Sequence, residues 1–170
     1  MIRRIGRHAG LLIAVCALFA SCIKAGDVQV LGIEGVSVQS LSRTDIALQV
    51  ENRSSHKLTL REGRLRVNVK GSPFAEVMLR EPVLVGKRSQ GTVNVPLQVR
   101  MTNPLMMLSM MAGPPADPSQ ITLSGELSLK GGCLKKKFRV EEMTLSDFIR
   151  TFGGNEQQLV KFLQQWQSGL

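Results

Sequence analysis

Few side chains in this 170-residue chain have types and spacing that invite chemistry. Cysteines stand at 16, 22 and 133. Cys22 closes a run of apolar and small residues, Gly10 to Ser21, preceded by Arg3, Arg4 and Arg7 and by no acid. A basic start, a short apolar stretch and small residues at its end make a secretory signal. The run is shorter than the roughly 20 apolar residues a membrane-spanning helix needs. His56 is the one histidine beyond that signal, in the polar turn Asn52–His56. Asp45 and Glu51 could join it as an acid–base set, but nothing in their spacing requires it. No metal-ligand spacing, phosphate-cradling glycine loop or nucleophile motif appears. The chain therefore reads as a non-enzyme that needs no cofactor and holds no metal. One soft-metal alternative stays open. Met106 with Met110, and Met107 with Met111, lie one helical turn apart. Their thioethers could hold Cu(I), or fill an apolar face covering one end of the body.

Phe19-Ala20-Ser21-Cys22 resembles the lipobox of bacterial lipoproteins, matching at Ala20 and Ser21 and departing at Phe19, where Leu, Val or Ile is usual. The resemblance implies a diacylglycerol thioether on Cys22, cleavage just before it, and acylation of the new amino group. Two or three acyl chains anchor a protein stably where one does so marginally. Ile23-Lys24 lacks the aspartate that, by the same resemblance, retains lipoproteins in the inner membrane. The expected place is the outer-membrane leaflet facing the periplasm.

Processing changes the balance of the chain. Residues 1–21 carry three of the 22 basic side chains, which leaves 19 against 13 acidic ones and a net charge of +6. Such charge suits anionic headgroups or acidic glycans in the envelope, or simply keeps the protein soluble. Nucleic acid is a poor partner for an exported, anchored chain. Cys16 leaves with the signal and Cys22 becomes a thioether, so Cys133 has no disulfide partner.

The elements that carry these residues are mostly strands. Ile46, Leu48 and Val50, then Leu65, Val67 and Val69, then Val93, Val95, Leu97 and Val99 alternate with polar or small residues. Period-two runs bounded by Gly, Asn, Ser and Pro are half-buried antiparallel strands. About seven of them over residues 28–142 predict a two-sheet sandwich of immunoglobulin or fibronectin type. Gly131-Gly132 predicts a tight hairpin pairing Lys130 with Cys133, Glu126 with Lys137, and Gly125 with Phe138, the glycine making room for the ring. That register sets Lys136 beside Leu127 on the apolar face, either snorkelling at a sheet edge or marking a groove. Asn103 and Pro104 start a short helix.

The pattern changes at the end. Leu145, Phe148, Ile149 and Phe152 have helical spacing, with Thr144 and Asp147 as a capping pair. Leu159, Phe162, Leu163 and Trp166 repeat it. Phe162 and Trp166 either close the core or form an arm for a partner or membrane. The expected organisation is a signal at 1–21, a tether at 22–27, the β body at 28–142 and amphipathic helices at 143–170.

Gly32-Ile33-Glu34-Gly35-Val36-Ser37, Asp45 to Asn52, and Val85-Gly86-Lys87-Arg88-Ser89 before Val93-Asn94-Val95-Pro96-Leu97 resemble the late-embryogenesis-abundant type 2 family, the water-stress and hypersensitive-response domain. In that family Asn52 is often followed by Pro; here Arg53 stands there. The resemblance implies a fibronectin-like sandwich with a helix at one end, no catalytic residues, and roles in stress protection or in binding apolar ligands. Two functions follow. One is a tethered binding or structural module in which Lys87, Arg88, Lys135, Lys136 and Lys137 offer charge to an envelope protein, lipid or anionic glycan. The other is a carrier holding a lipid or other apolar ligand between its sheets.

Overall fold

A computed structural model describes residues 27–40, 42–114 and 117–151, together with Gln157, Val160, Lys161 and Gln164. It is built from strands β1 (Val28–Ser40), β2 (Arg43–Asn52), β3 (Leu58–Val69), β4 (Ser72–Leu79), β5 (Val83–Val85), β6 (Ser89–Met101), β7 (Ile121–Gly131) and β8 (Leu134–Thr144). Helix α1 (Pro104–Ala112) and a 3-10 turn (Pro118–Gln120) join β6 to β7, and α2 (Leu145–Thr151) follows β8. Every strand pairing is antiparallel, in the order β1-β2-β6-β4-β3-β7-β8, with β5 beside β3. The alternation thus yields eight strands where about seven were expected. Their pairings do not divide into two sheets, because β4 pairs with β6 from Ala75 to Leu79 and with β3 from Ser72 to Met78.

The chain runs up and down between two ends. At one end lie Asp27, the β2–β3 loop Arg53–Lys57, the β5–β6 turn Gly86–Arg88 and the β7–β8 turn Gly132-Cys133. At the other lie the β3–β4 turn Lys70-Gly71, α1, the 3-10 turn and α2. Lys70 (φ 50°) and Gly71 (φ 77°) are both left-handed, as a two-residue hairpin turn matched to strand twist requires. Asn103 caps α1 by accepting a 3.1 Å hydrogen bond from Met106 N–H. There Val69, Phe74, Ala75 and Ile121 form a buried cluster, and Met106, Met107 and Met110 pack on it with Leu145. These thioethers fill an apolar face; the Met111 side chain lies outside the described residues.

The β7–β8 hairpin differs from the expected register by two residues. Gly131 pairs with Leu134, so the loop is Gly132-Cys133, with Gly132 at φ 57°. Glu126 lies opposite Arg139, not Lys137, and meets it at 3.4 Å. Gly125 faces Val140, not Phe138. What the missing side chain admits is backbone: a Cβ at Gly125 would collide with the Arg64 carbonyl of β3. Lys136 sits opposite Leu129 rather than Leu127, on the edge strand, with its Nζ 4.9 Å from the Phe138 ring centroid. It therefore runs along the apolar face while remaining exposed, as a snorkelling edge lysine does. Beyond Gly125 the pairing shifts, Glu142 turns left-handed (φ 44°), and β8 continues to Thr144, two residues past the expected end of the body. Thr144 and Asp147 then cap α2 reciprocally: Asp147 N–H donates to Thr144 Oγ1 (3.1 Å) and that hydroxyl donates to Asp147 Oδ2 (2.8 Å).

Candidate functional site

The end where β1 begins gathers most of the charged residues singled out from the sequence. Asn52 holds it together. Its side chain is 1% exposed. Its Nδ2 donates to the carbonyls of His56 (2.9 Å) and Gly86 (2.7 Å), and its Oδ1 accepts from Ser54 N–H (3.0 Å) and Ser54 Oγ (2.7 Å). All four hydrogen-bonding positions of the amide are used. The β2–β3 loop and the β5–β6 turn are thereby fixed to one another, and Arg88 N–H adds a 3.0 Å bond to the Ser54 carbonyl. The β7–β8 turn joins them, since a Cβ at Gly132 would stand 3.2 Å from His56 Nδ1. Arg53 N–H donates to the Asp27 carbonyl at 2.8 Å, which ties in the point where the chain enters the sheet.

This end is basic. Arg53, Lys57, Lys87 and Arg88 are exposed on its loops, and Lys130 and Lys135 are exposed as a cross-strand pair beside the hairpin turn. Arg53 meets Glu51 at 2.8 Å, and the hydrogen bond to that carboxylate, with its charge, raises the Arg53 pKa. Asp27 is the other carboxylate at this end. Among the described residues, no ion pair engages Lys57, Lys87, Arg88, Lys130 or Lys135. Arg88 is left-handed at φ 45°, a conformation that costs a residue with a Cβ roughly 1–2 kcal/mol. Leu84, 56% exposed, and Leu134, 45% exposed, lie within two residues of these turns.

The structure thus joins Lys87, Arg88 and Lys135 to Arg53, Lys57 and Lys130, which sequence reasoning missed. Lys137 instead points to the other side of β8 from Lys136. It lines an open groove of about 330 Å³ with Arg61, Glu62, Arg64, Glu126 and Ser128. A second open groove of about 550 Å³ lies beside it at Arg66, Ser124, Arg139 and Glu141. Cys22, Phe162 and Trp166 lie outside the described residues. Asp45, Glu51 and His56 do not assemble. Asp45 faces Pro96 and meets Arg80 at 3.5 Å, six residues up β2 from Glu51, a separation of about 20 Å. Among the described residues no three His, Cys, Asp or Glu side chains are placed to hold a metal ion. No described helix is long and apolar enough to cross a membrane.

No family model matches the chain, and no curated protein does. A crystal structure of a protein from Archaeoglobus fulgidus is similar at 15% identity, over 65% of this chain and 98% of that one, with a TM-score of 0.36. A likeness of that extent decides neither fold nor function.

Proposed function

We propose that the protein is a lipid-anchored, periplasm-facing module of the outer membrane that binds or braces other envelope components without catalysing a reaction. The observation that carries this is the order of features along the chain. A signal ends just before Cys22, and a sheet with its loops locked by Asn52 begins at Val28, six residues beyond that cysteine. The six basic side chains around that point provide charge for binding. Replacing Cys22 by Ala tests the anchor. The wild-type protein incorporates labelled fatty acid and sediments with membranes; the variant does neither. Fatty acid on the variant, or none on the wild type, defeats the reading.

The body is, on this proposal, a two-layered sandwich made by one sheet folding over on itself. Val50 of β2, Leu58 of β3 and Val83 of β5 are 4%, 3% and 8% exposed near the basic end, while α1 and α2 sit at the other. An apolar sheet face buried without a helix needs another sheet face over it. A carrier would need an enclosed space between the layers, and the two grooves described are open to solvent, one lined by Met78, Leu79 and Leu127 as well as Arg61 and Glu62, the other by Arg66, Arg139 and Glu141. Protein purified in mild detergent is expected to carry no stoichiometric lipid by mass spectrometry; a bound acyl chain would favour the carrier. The type 2 late-embryogenesis-abundant resemblance adds a stress-related role, which survival of cells lacking the protein after drying would test.

A further inference from the structure

We propose that the basic end is a membrane-facing surface that seats the domain upright on the leaflet holding its anchor, through contacts with anionic phospholipid headgroups. The inference rests on the proposed anchor at Cys22 for its geometry. Asp27 lies five residues beyond Cys22, and an extended chain covers at most roughly 18 Å in that distance. Asp27 is bonded to Arg53 at the basic end, so that end cannot stray far from the headgroups.

The charge is distributed as this requires. The loops and strand ends of the basic end carry Arg53, Lys57, Lys87, Arg88, Lys130 and Lys135 against Asp27 and Glu51, a net charge of +4. At the opposite end, the described connections, strand ends and α2 carry Arg43, Lys70, Arg100 and Arg150 against Asp117 and Asp147, a net charge of +2. The basic residues converge in space through the sheet: Lys135, Lys130, Thr59 and Leu84 form one row across β8, β7, β3 and β5. Four strands span about 15 Å. The row and the Gly86–Arg88 turn beyond it therefore cover an area over which several headgroups can be engaged at once. Leu84 and Leu134, exposed next to the turns, supply apolar contact at the headgroup boundary. A basic surface within a Debye length, about 8–10 Å, of an anionic leaflet feels its potential. Each such side chain favours the seated state roughly fivefold.

Cys133, exposed in the β7–β8 turn and the only thiol left after lipidation, is a ready probe. The full mature protein, labelled there with a fluorophore, is placed in phosphatidylcholine vesicles with and without phosphatidylglycerol, both containing a headgroup-quencher lipid. Strong quenching is expected in the anionic vesicles only, falling to the neutral level in high salt. The joint replacement Lys57→Gln, Lys87→Gln, Arg88→Gln and Lys135→Gln should lower the ratio of seated to unseated protein by roughly 600-fold, at about fivefold for each of the four charges. A label on Ser109→Cys in a Cys133→Ser background, at the far end, should stay unquenched. Equal quenching in neutral and anionic vesicles, or an unchanged fourfold variant with native circular dichroism, would overturn the proposal. Flotation in high salt reads the anchor separately. Protein that floats but shows no anionic-dependent quenching has an anchor and an idle end. Protein released by salt has no anchor, and its quenching at low salt still decides the end.

Discussion

Asn52→Ala isolates what holds the basic end in shape. The substitution removes four hydrogen bonds at once from a site 1% exposed. The losses are unequal. The His56 carbonyl keeps the Ser54 hydroxyl at 3.0 Å, and the Gly86 carbonyl keeps the Ser89 hydroxyl at 2.8 Å. The Ser54 N–H loses its acceptor, Asn52 Oδ1. At about 1 kcal/mol for each bond, with more where a buried group is stranded, the cost is about 3–4 kcal/mol. That is a large part of the 5–15 kcal/mol typical of a domain. With a urea slope of about 1–3 kcal/mol per molar, the midpoint should fall by about 1–4 M at unchanged slope. Asn52→Asp sharpens the test. It keeps the shape and one acceptor, but turns an oxygen towards two carbonyls. The folded state then favours the protonated acid, so the folded pKa lies above the unfolded one. The stability lost at neutral pH should return as pH falls through the raised folded pKa towards the unfolded carboxylate value of about 3.9, the reverse of ordinary acid denaturation. A midpoint shift for Asn52→Ala below about 0.3 M would refute the view that this amide locks the loops.

Further substitutions probe other sites. Gly125→Ala should cost about 1–3 kcal/mol in chemical denaturation, because the new methyl group meets the Arg64 carbonyl and β3 must move; wild-type stability would show that the strands are not so close. Arg88→Gly should raise the thermal midpoint by a few degrees, by relieving the left-handed backbone at φ 45°, while weakening seating on anionic vesicles; a lower midpoint would contradict it. Hydrogen bonds from Ser119 hold the Asp117 carboxylate below its usual pKa. The 3-10 turn should therefore persist through mildly acidic pH and loosen only as pH falls through that lowered value. An NMR titration of Asp117 with an ordinary midpoint would count against it.

Much of this structure can be read from residue order. The alternation in Ile46–Val50 and Val93–Val99 places β2 and β6, and Asn103-Pro104 and Thr144–Asp147 mark both described helix starts. The hairpin register is harder for a physical reason. Moving the loop by one residue, from Gly131-Gly132 to Gly132-Cys133, slips the pairing by two and keeps every side chain on its own face, so alternation cannot distinguish the two pairings. What does is the backbone contact of Gly125 with Arg64, which depends on a strand some 60 residues earlier in the chain. The basic end is harder again. Lys87, Arg88 and Lys135 are visible as charges, but their meeting with Arg53 and Lys57 depends on chain direction. β4 and β5 form a single descending path broken at Arg80–Pro82. Counted as two reversals, they would send Lys87 and Arg88 to the wrong end.

The two outermost strands bear on how crowded copies coexist. Its pairing with β2 is interrupted three times along β1, so no more than four consecutive residues stay in step. Along β8, Lys135, Lys136, Lys137 and Arg139 follow one another before the kink at Glu142. One rim is crooked and the other repels its own kind, and both traits discourage strangers from adding a strand. If the chain is held in the membrane plane as proposed, its copies collide far more often than molecules free in solution, and these rims let them touch and part.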